Sequence, residues 1–271
     1  TATLKFNGPA LADSVINILS TRPDIAIVPT SIPVVAGQTE ATFPITTKSA
    51  KPAENESGVR VTIITAGNNG SLSAGLVVEP VGVNEFTFNP AVTAGGNMVD
   101  ASLRLSGPAP KGGATVRISS DQPSVAKPTR NYVYFPEGTT NIKTKIRTNA
   151  VSETTNVTFI ADRFDNKFPA VLTVRPTRLD SVVCAPSIFK GGQATKVTVS
   201  LDGLAPRTGA TVQLSSSNPL LLPVPSTISF VAGKRSVSFV TSTTVPGVST
   251  TVTITASRLN IVKTTEIRVL P

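Results

Sequence analysis

The sequence predicts an all-β protein made of three tandem sandwich domains, and three observations carry that expectation. The 271-residue chain repeats itself at the length of a small domain. Short runs rich in Val, Thr and Ile alternate with Gly, Pro and Asn from end to end, the usage of strands joined by turns. No window sustains the 3.6-residue apolar period of a helix.

The repeat is read from residue numbers. Ala66, Ala161 and Ala256 close the runs 61–66, 156–161 and 252–256, and they lie 95 and 95 residues apart. Pro80, Pro176 and Pro271 close the runs 76–80, 172–176 and 267–271, at spacings of 96 and 95. Such a period exceeds the 20 to 50 residues of solenoid and propeller units, which cannot close a core alone. It matches a small domain. Domains are therefore expected at 1–80, 81–176 and 177–271. A unit of this size buries roughly 60 to 68% of its unfolded surface, enough to need no disulfide. Cys184 is the single cysteine and cannot form one within the chain.

The middle copy gives the elements in order. Phe86-Thr87-Phe88 alternates and stops at Asn89-Pro90, and Ala94-Gly95-Gly96 is a turn. A strand over 98–105 ends at Gly107-Pro108, and another over 114–119 ends at Asp121-Gln122-Pro123. A short run at 124–126 is followed by 131–135, closed by Pro136-Glu137-Gly138. Runs 141–148, 156–161 and 168–174 complete the copy. Seven or eight short strands with turn signals every 8 to 12 residues form the pattern of a two-sheet sandwich. Alternation predicts Phe86, Phe88 and Val92 inward. Gly37, Gly138 and Gly233 precede Phe43, Ile146 and Phe239, which are expected inward on equivalent strands, with Thr144 competing with Ile146 for the slot.

The copies correspond in their turn residues. Pro90, Gly95 and Gly96 stand 96 residues before Pro186, Gly191 and Gly192, and Gly107 stands 96 before Gly203. The recurring glycines fit turns that tolerate positive φ, and the prolines fit places where a strand stops donating. The motifs Leu-Ser-Gly-Pro-Ala-Pro at 105–110, Thr-Val-Gln-Leu-Ser-Ser-Ser-Asn-Pro at 211–219, Phe-Val-Ala-Gly at 230–233 and Thr-Val-Thr-Ile-Thr-Ala-Ser at 251–257 resemble the tandem immunoglobulin-like repeats of bacterial cell-surface and secreted proteins. The resemblance spans nearly the whole chain. It implies three immunoglobulin-like sandwiches of a disulfide-free kind, arranged as an extended rod, in an extracellular or cell-surface setting. It implies a stalk, spacer or surface-assembly role, with an adhesin or carbohydrate-binding array as one alternative. Fold analogy assigns no activity by itself.

The first copy starts late. Residues 1–8 align with 100–107, and nothing before them matches Phe86-Thr87-Phe88 or Gly95-Gly96. Its strand bearing Thr1, Thr3, Lys5 and Asn7 is therefore expected to leave an open edge. Either the chain is a fragment of a longer protein, or a strand arrives from upstream domains or from another subunit of a filament, sheath or virion appendage by β-strand addition.

Charge also departs from the repeat. Residues 1–80, 81–176 and 177–271 carry −1, +4 and +6, which together make the +9 of the chain. Lys143, Lys145 and Arg147 alternate with Ile142, Thr144 and Ile146, a basic row on one strand face. The bland reading is a solvated, edge-protecting face. The functional one is attraction to an anionic polysaccharide or surface, with Tyr132 and Tyr134 as a weak sticky patch. Nucleic acid is not expected, because too few aromatics interleave with the cations.

The chain holds no His, so a Ser-His-Asp or Cys-His arrangement and imidazole metal ligation are absent, and no enzyme activity or cofactor is expected. Asp162, Asp165 and Asn166 share one hairpin turn and form a weak calcium candidate. Arg163 sits among them, and the turns at 67–70 and 257–260 lack the carboxylates. Cys184 aligns with Phe88 and is expected to be a buried, inert thiol. The sequons at Asn55, Asn69 and Asn156 are of chance frequency in a Ser/Thr-rich chain. No apolar run reaches the ~18 residues of a transmembrane helix.

Overall fold

The computed structural model describes residues 1–48, 58–67 and 70–271. Among them every regular element is a strand. The first eight are β1 (Ala2–Lys5), β2 (Ser14–Ser20), β3 (Ala26–Ile27), β4 (Ser31–Val34), β5 (Glu40–Phe43), β6 (Thr46–Thr47), β7 (Val59–Gly67) and β8 (Gly70–Val78). Next come β9 (Val83–Asn89), β10 (Val92–Ala94), β11 (Met98–Leu105), β12 (Ala114–Ser120), β13 (Ala126–Pro128), β14 (Tyr132–Phe135), β15 (Asn141–Thr148), β16 (Thr155–Arg163) and β17 (Asn166–Arg175). The last are β18 (Leu179–Ala185), β19 (Ile188–Lys190), β20 (Ala194–Leu201), β21 (Ala210–Ser216), β22 (Thr227–Phe230), β23 (Ser236–Ser242), β24 (Thr250–Arg258) and β25 (Ile261–Leu270).

In the middle unit, period-2 alternation builds two faces. On β11 Val99, Ala101, Leu103 and Leu105 are 0 to 2% exposed, while Asp100 and Arg104 point to solvent. One sheet runs β13-β15-β11-β9 and the other β10-β17-β16-β12-β14. This order is that of an immunoglobulin-like sandwich, with β14 as an additional edge beside β12. Phe135, Ile146 and Phe159 lie fully buried between the sheets. Phe88 stands edge-on to both Phe86 and Phe159, at 5.0 and 5.2 Å between ring centres. The first strand changes sheets at Asn89-Pro90: β9 pairs with β11, whereas β10 runs parallel to β17. That switch reverses the facing, so Thr93 turns inward and Val92 is exposed, contrary to the alternation continued from Phe88.

The third unit repeats this plan with sheets β18-β20-β23 and β19-β25-β24-β21-β22. The place of β13 is taken by an irregular segment with Leu221 and Leu222 buried between Pro219 and Pro223. Its β23 is consequently an edge strand, and Phe239 is only partly buried. The first unit has β4-β2-β7-β8 as one sheet, while β1 pairs β5 and β3 pairs β6. Three separate apolar cores result.

Pairing registers correct the expected equivalence on β5, β15 and β23. Phe43 lies opposite Ala2, Thr144 opposite Ala101 and Phe239 opposite Val197. Thr144 therefore occupies the slot of Phe43 and Phe239, and Ile146 sits one inward position further along, opposite Val99. Thr144 is smaller than the Phe239 that faces Val197 in the same slot, and the fully buried Ile146 fills the core from the neighbouring one.

Candidate functional surfaces

Two hairpins reach back to the chain that leads into their own domain. Arg163 at the end of β16 donates to the carbonyl of Val81, and Arg258 at the end of β24 donates to that of Thr177. The two arginines are 95 residues apart and hold the same place in the repeat. Burial lowers the pKa of each, and for Arg258 nearby Asp202 opposes that effect. Both remain cations, because guanidinium does not lose its proton in proteins. The turns that follow place Phe164, Asp165, Leu259 and Asn260 at φ of 52°, 60°, 49° and 62°. Two left-handed residues in a row are the geometry of a two-residue hairpin matched to strand twist. The Arg163 guanidinium lies 4.3 Å from the Phe164 ring centre.

This use of the turn bears on the calcium candidate. Asn166 spends its side-chain oxygen on the N–H of Val83 at 3.0 Å. Asp165 lies 4.0 Å from Lys167, and Asp162 faces Arg117 across β12 and β16. Among the described residues no three His, Cys, Asp or Glu side chains come together as a metal group. The counterpart of Arg163 in the first copy falls at Asn68, which, like Asn55 and Asn69, lies outside the described residues.

The second and third sandwiches meet end on. The N–H of Leu204 donates to the carbonyl of Gly95 at 3.0 Å. Asn97 donates its side-chain N–H to the carbonyl of Asp202 at 3.0 Å and accepts from Arg235. One Asp202 oxygen takes Arg175 at 2.7 Å and the other takes the N–H of Arg178 at 2.7 Å. Both members of the Arg175–Asp202 pair are three-quarters buried, 24% exposed each. Desolvation offsets much of the attraction in such a pair. Close approach depends on glycine. A Cβ on Gly203 would stand 2.5 Å from the Gly95 oxygen and 2.7 Å from Thr177 Cγ2, and one on Gly96 would stand 2.3 Å from Leu204 Cγ. At Gly107, the repeat partner of Gly203, the nearest atom would be 3.5 Å away. Gly203 is thus required by packing between domains rather than by positive φ, which the recurrence alone could not distinguish.

The joint between the first and second units is built differently. The counterparts of Asp202, Leu204 and Arg175 are Ser106, Pro108 and Glu79. Ser106 bonds only to Gly82 of the link, by its N–H at 2.9 Å and its hydroxyl at 3.1 Å. Among the described residues, no hydrogen bond or ion pair connects residues 1–79 with residues 83–271.

The basic row lies where alternation puts it. Lys143, Lys145 and Arg147 are exposed on β15, opposite Ser102, Asp100 and Met98 of β11. Arg104, opposite Glu85, and Lys127, opposite Arg147, widen the same face. Lys145 approaches Asp100 to 2.6 Å and holds its carboxyl below the usual range. A shallow depression of about 340 Å³ lies between Glu85, Arg104 and Lys143. Tyr132 and Tyr134, 64 and 55% exposed, belong to β14 of the other sheet. They form no patch with the basic row, since sequence proximity does not survive the crossing from one sheet to the other. Tyr134 instead lies over Gly113, where an added Cβ would meet its hydroxyl at 2.4 Å, and donates to the carbonyl of Gly112 at 3.3 Å.

The first unit differs in its edge strand. Among the described residues strand β1 pairs with β5 alone, whereas β11 lies between β9 and β15, and β20 between β18 and β23. Thr1, Thr3, Lys5 and Asn7 face solvent, and Ala2, Leu4 and Phe6 are only partly covered. Cys184 is buried and its thiol is pushed up to about 11, chiefly by burial.

The strand order and the two-sheet packing make this an array of immunoglobulin-like sandwiches. No protein-family model and no curated protein matches the chain. Among solved structures it is similar to the adhesin InvE of Yersinia pseudotuberculosis, at 17% identity and a TM-score of 0.31, covering 69% of this chain and 60% of that one. The chain thus spans about 60% of that structure's length. It is also similar to a three-domain I-band fragment of titin, at 9% identity and a TM-score of 0.29, over 100% of this chain and 99% of that one. A third is the Escherichia coli alpha-2-macroglobulin activated by porcine elastase, at 11% identity and a TM-score of 0.27, over 99% of this chain and 30% of that one. At these values the likenesses carry no functional argument, and the fold assignment rests on the strand order itself.

Proposed function

We propose that the chain is a non-catalytic rod of three immunoglobulin-like units, 1–80, 81–176 and 177–271, serving as a stalk, spacer or assembly segment on a bacterial cell surface or in a secreted protein. The end-on joint carries this reading. Asp202, Gly203 and Leu204 receive Gly95, Asn97 and Arg175 at the tip of the preceding sandwich, so the third unit extends the second rather than packing along its side. Separate cores let each unit bear load alone. The short Pro-led links restrict the chain between them. Among the described residues no helix is long and apolar enough to cross a membrane.

Single-molecule stretching of the chain between two handles tests the reading. Three separate unfolding events are expected, each releasing roughly 220 to 310 Å, the extended length at ~3.3 to 3.6 Å per residue less a folded length of about 40 Å. A single event spanning the whole chain would contradict it.

The face of β11 and β15 favours a second role. Five cations, Arg104, Lys127, Lys143, Lys145 and Arg147, stand against Glu85 and Asp100. The rod would bind an anionic polysaccharide or surface through its middle domain, with salt weakening the contact.

A further inference from the structure

The outer face of the sheet β10-β17-β16-β12-β14 carries a row of side chains that the other two units lack. Tyr132 of β14 pairs with Arg117 of β12, Arg117 with Asp162 of β16, and Asp162 with Lys167 of β17. Alternation turns this row outward, since Val133, Ile118 and Ala161 beside it are buried. The same row reads Thr227, Gln213, Ser257 and Val262 in the third unit, and Ser31, Asn17, Ala66 and Ser71 in the first. The sandwich therefore closes without an aromatic ring or a charge at any of these positions. Tyr134, two residues further along the same face, stands where the other units have Ser229 and Pro33. Its ring is exposed and yet held. The hydroxyl donates to the carbonyl of Gly112, and the ring rests against Gly113, where a Cβ would stand 2.5 Å from Cε2 and Cζ. The turn beneath it is tied down in its own right, because the N–H of Gly112 donates to Glu137 at 3.3 Å and that of Gly113 to the carbonyl of Pro110 at 2.8 Å. Among the described residues neither Arg117 nor Asp162 forms an ion pair.

We propose that this face is a glycan-binding site, and that its ligand is a neutral polysaccharide chain of pyranose rings laid along β14. A pyranose offers an apolar C–H face rimmed by hydroxyls. Tyr132 and Tyr134 supply flat apolar surfaces for the first. Their Cα atoms lie about 6.6 Å apart at ~3.3 Å per residue, so the two rings bear on neighbouring units of one chain. Arg117 and Asp162 serve the hydroxyls, the guanidinium as donor and the carboxylate as acceptor. Asp162 within the row and Glu137 at the turn beside Tyr134 oppose a polyanion, so the ligand is neutral. An apolar peptide fits less well, because it would desolvate Arg117 and Asp162 without offering them partners. A sheet face without walls suits a long chain passing across it rather than a small molecule that must be enclosed. The site goes beyond the stalk reading, and its failure is distinguishable, because stretching reports three units whether or not this face binds sugar.

The chain holds two tyrosines and no tryptophan, so tyrosine emission reports this site alone. The probes are soluble neutral oligo- and polysaccharides of glucose, mannose, galactose, xylose and N-acetylglucosamine, titrated into the full 271-residue chain. At least one should shift the emission saturably, with an affinity that changes less than about twofold between roughly 0.05 and 0.5 M NaCl, since no ion pair with the ligand is there to be screened. Tyr132→Thr combined with Tyr134→Ser installs the residues that β22 carries in the third unit. That chain should keep its melting temperature and lose at least about tenfold in affinity by calorimetry. Arg117→Gln and Asp162→Ser, also taken from the third unit, should each weaken binding several-fold with the tyrosine signal still readable. Reversing Lys143, Lys145 and Arg147 to Glu should leave neutral-glycan binding unchanged. No probe bound at millimolar concentration of sugar units, binding that survives the double tyrosine replacement, or binding that requires low salt or the basic row would each overturn the proposal.

Discussion

Cys184 and Thr177 show how single residues report the packing. The Cys184 thiol lies inward on β18, and burial raises it from 9.0 to about 11. The thiolate is the reactive form, so alkylation at pH 8 should be at least tenfold slower in the folded chain than in denaturant; equal rates would place the thiol outside the core. The sign for stability follows from linkage. Below pH 9.0 both states hold the proton and the residue has no effect on pH dependence; between 9.0 and about 11 only the unfolded chain ionises, so the third domain should lose stability across that window. Thr177 is fully buried at the second joint, and its hydroxyl has no hydrogen-bond partner. Thr177→Val keeps the shape and removes the unpaired group, and should raise the unfolding free energy of the third domain by about 1 kcal/mol. A loss of similar size in denaturant unfolding would mean that the hydroxyl is bonded.

At the scale of elements, burial decides between two phenylalanines of the third domain. Phe230 on β22 is 1% exposed, whereas Phe239 lies on the edge strand β23 and is partly covered. Phe230→Ala should cost about 3 to 5 kcal/mol, and Phe239→Ala clearly less; the reverse order in chemical denaturation would reject the assignment of the third core. The basic row makes its own prediction. The Lys145–Asp100 pair is more than half exposed on both sides and contributes little to folding. Reversing Lys143, Lys145 and Arg147 to Glu should therefore leave the melting temperature within a few degrees while abolishing retention on an anionic polysaccharide resin. Retention unchanged by the triple reversal would remove that face from the account.

Much of this level was legible beforehand. The strands at 98–105 and 141–148 fall where alternation and turn residues put them, because one face of each meets the core and the other meets water. The facing of Val92 and the slot of Ile146 were not legible. The first depends on a strand crossing between sheets, and the second on which partner fills a shared gap. Arg163 looked like an obstacle to calcium, and its actual task, holding the Val81 carbonyl, involves a residue 82 positions away.

At the scale of the whole molecule, the repeat made the number of domains readable, but it concealed the difference between the joints. Gly107 and Gly203 occupy the same repeat position, yet only Gly203 touches another domain. That contact pairs residues of two copies, and no period within one copy can reveal it. Gly203→Ala should loosen the second joint, because its Cβ meets the Gly95 carbonyl, Thr177 and Ala94 there. Spin labels placed on the second and third domains should show a broadened distance distribution in that variant; an unchanged distribution would remove Gly203 from the joint.

The end-on arrangement itself is tested most directly by small-angle X-ray scattering of the full chain in dilute solution. Three sandwiches of roughly 40 Å each, with strands rising ~3.3 Å per residue, should give a radius of gyration of about 35 Å and a long tail in the distance distribution. A value near the ~18 to 19 Å of a compact chain of this length would show that the domains fold back on one another and would contradict the rod.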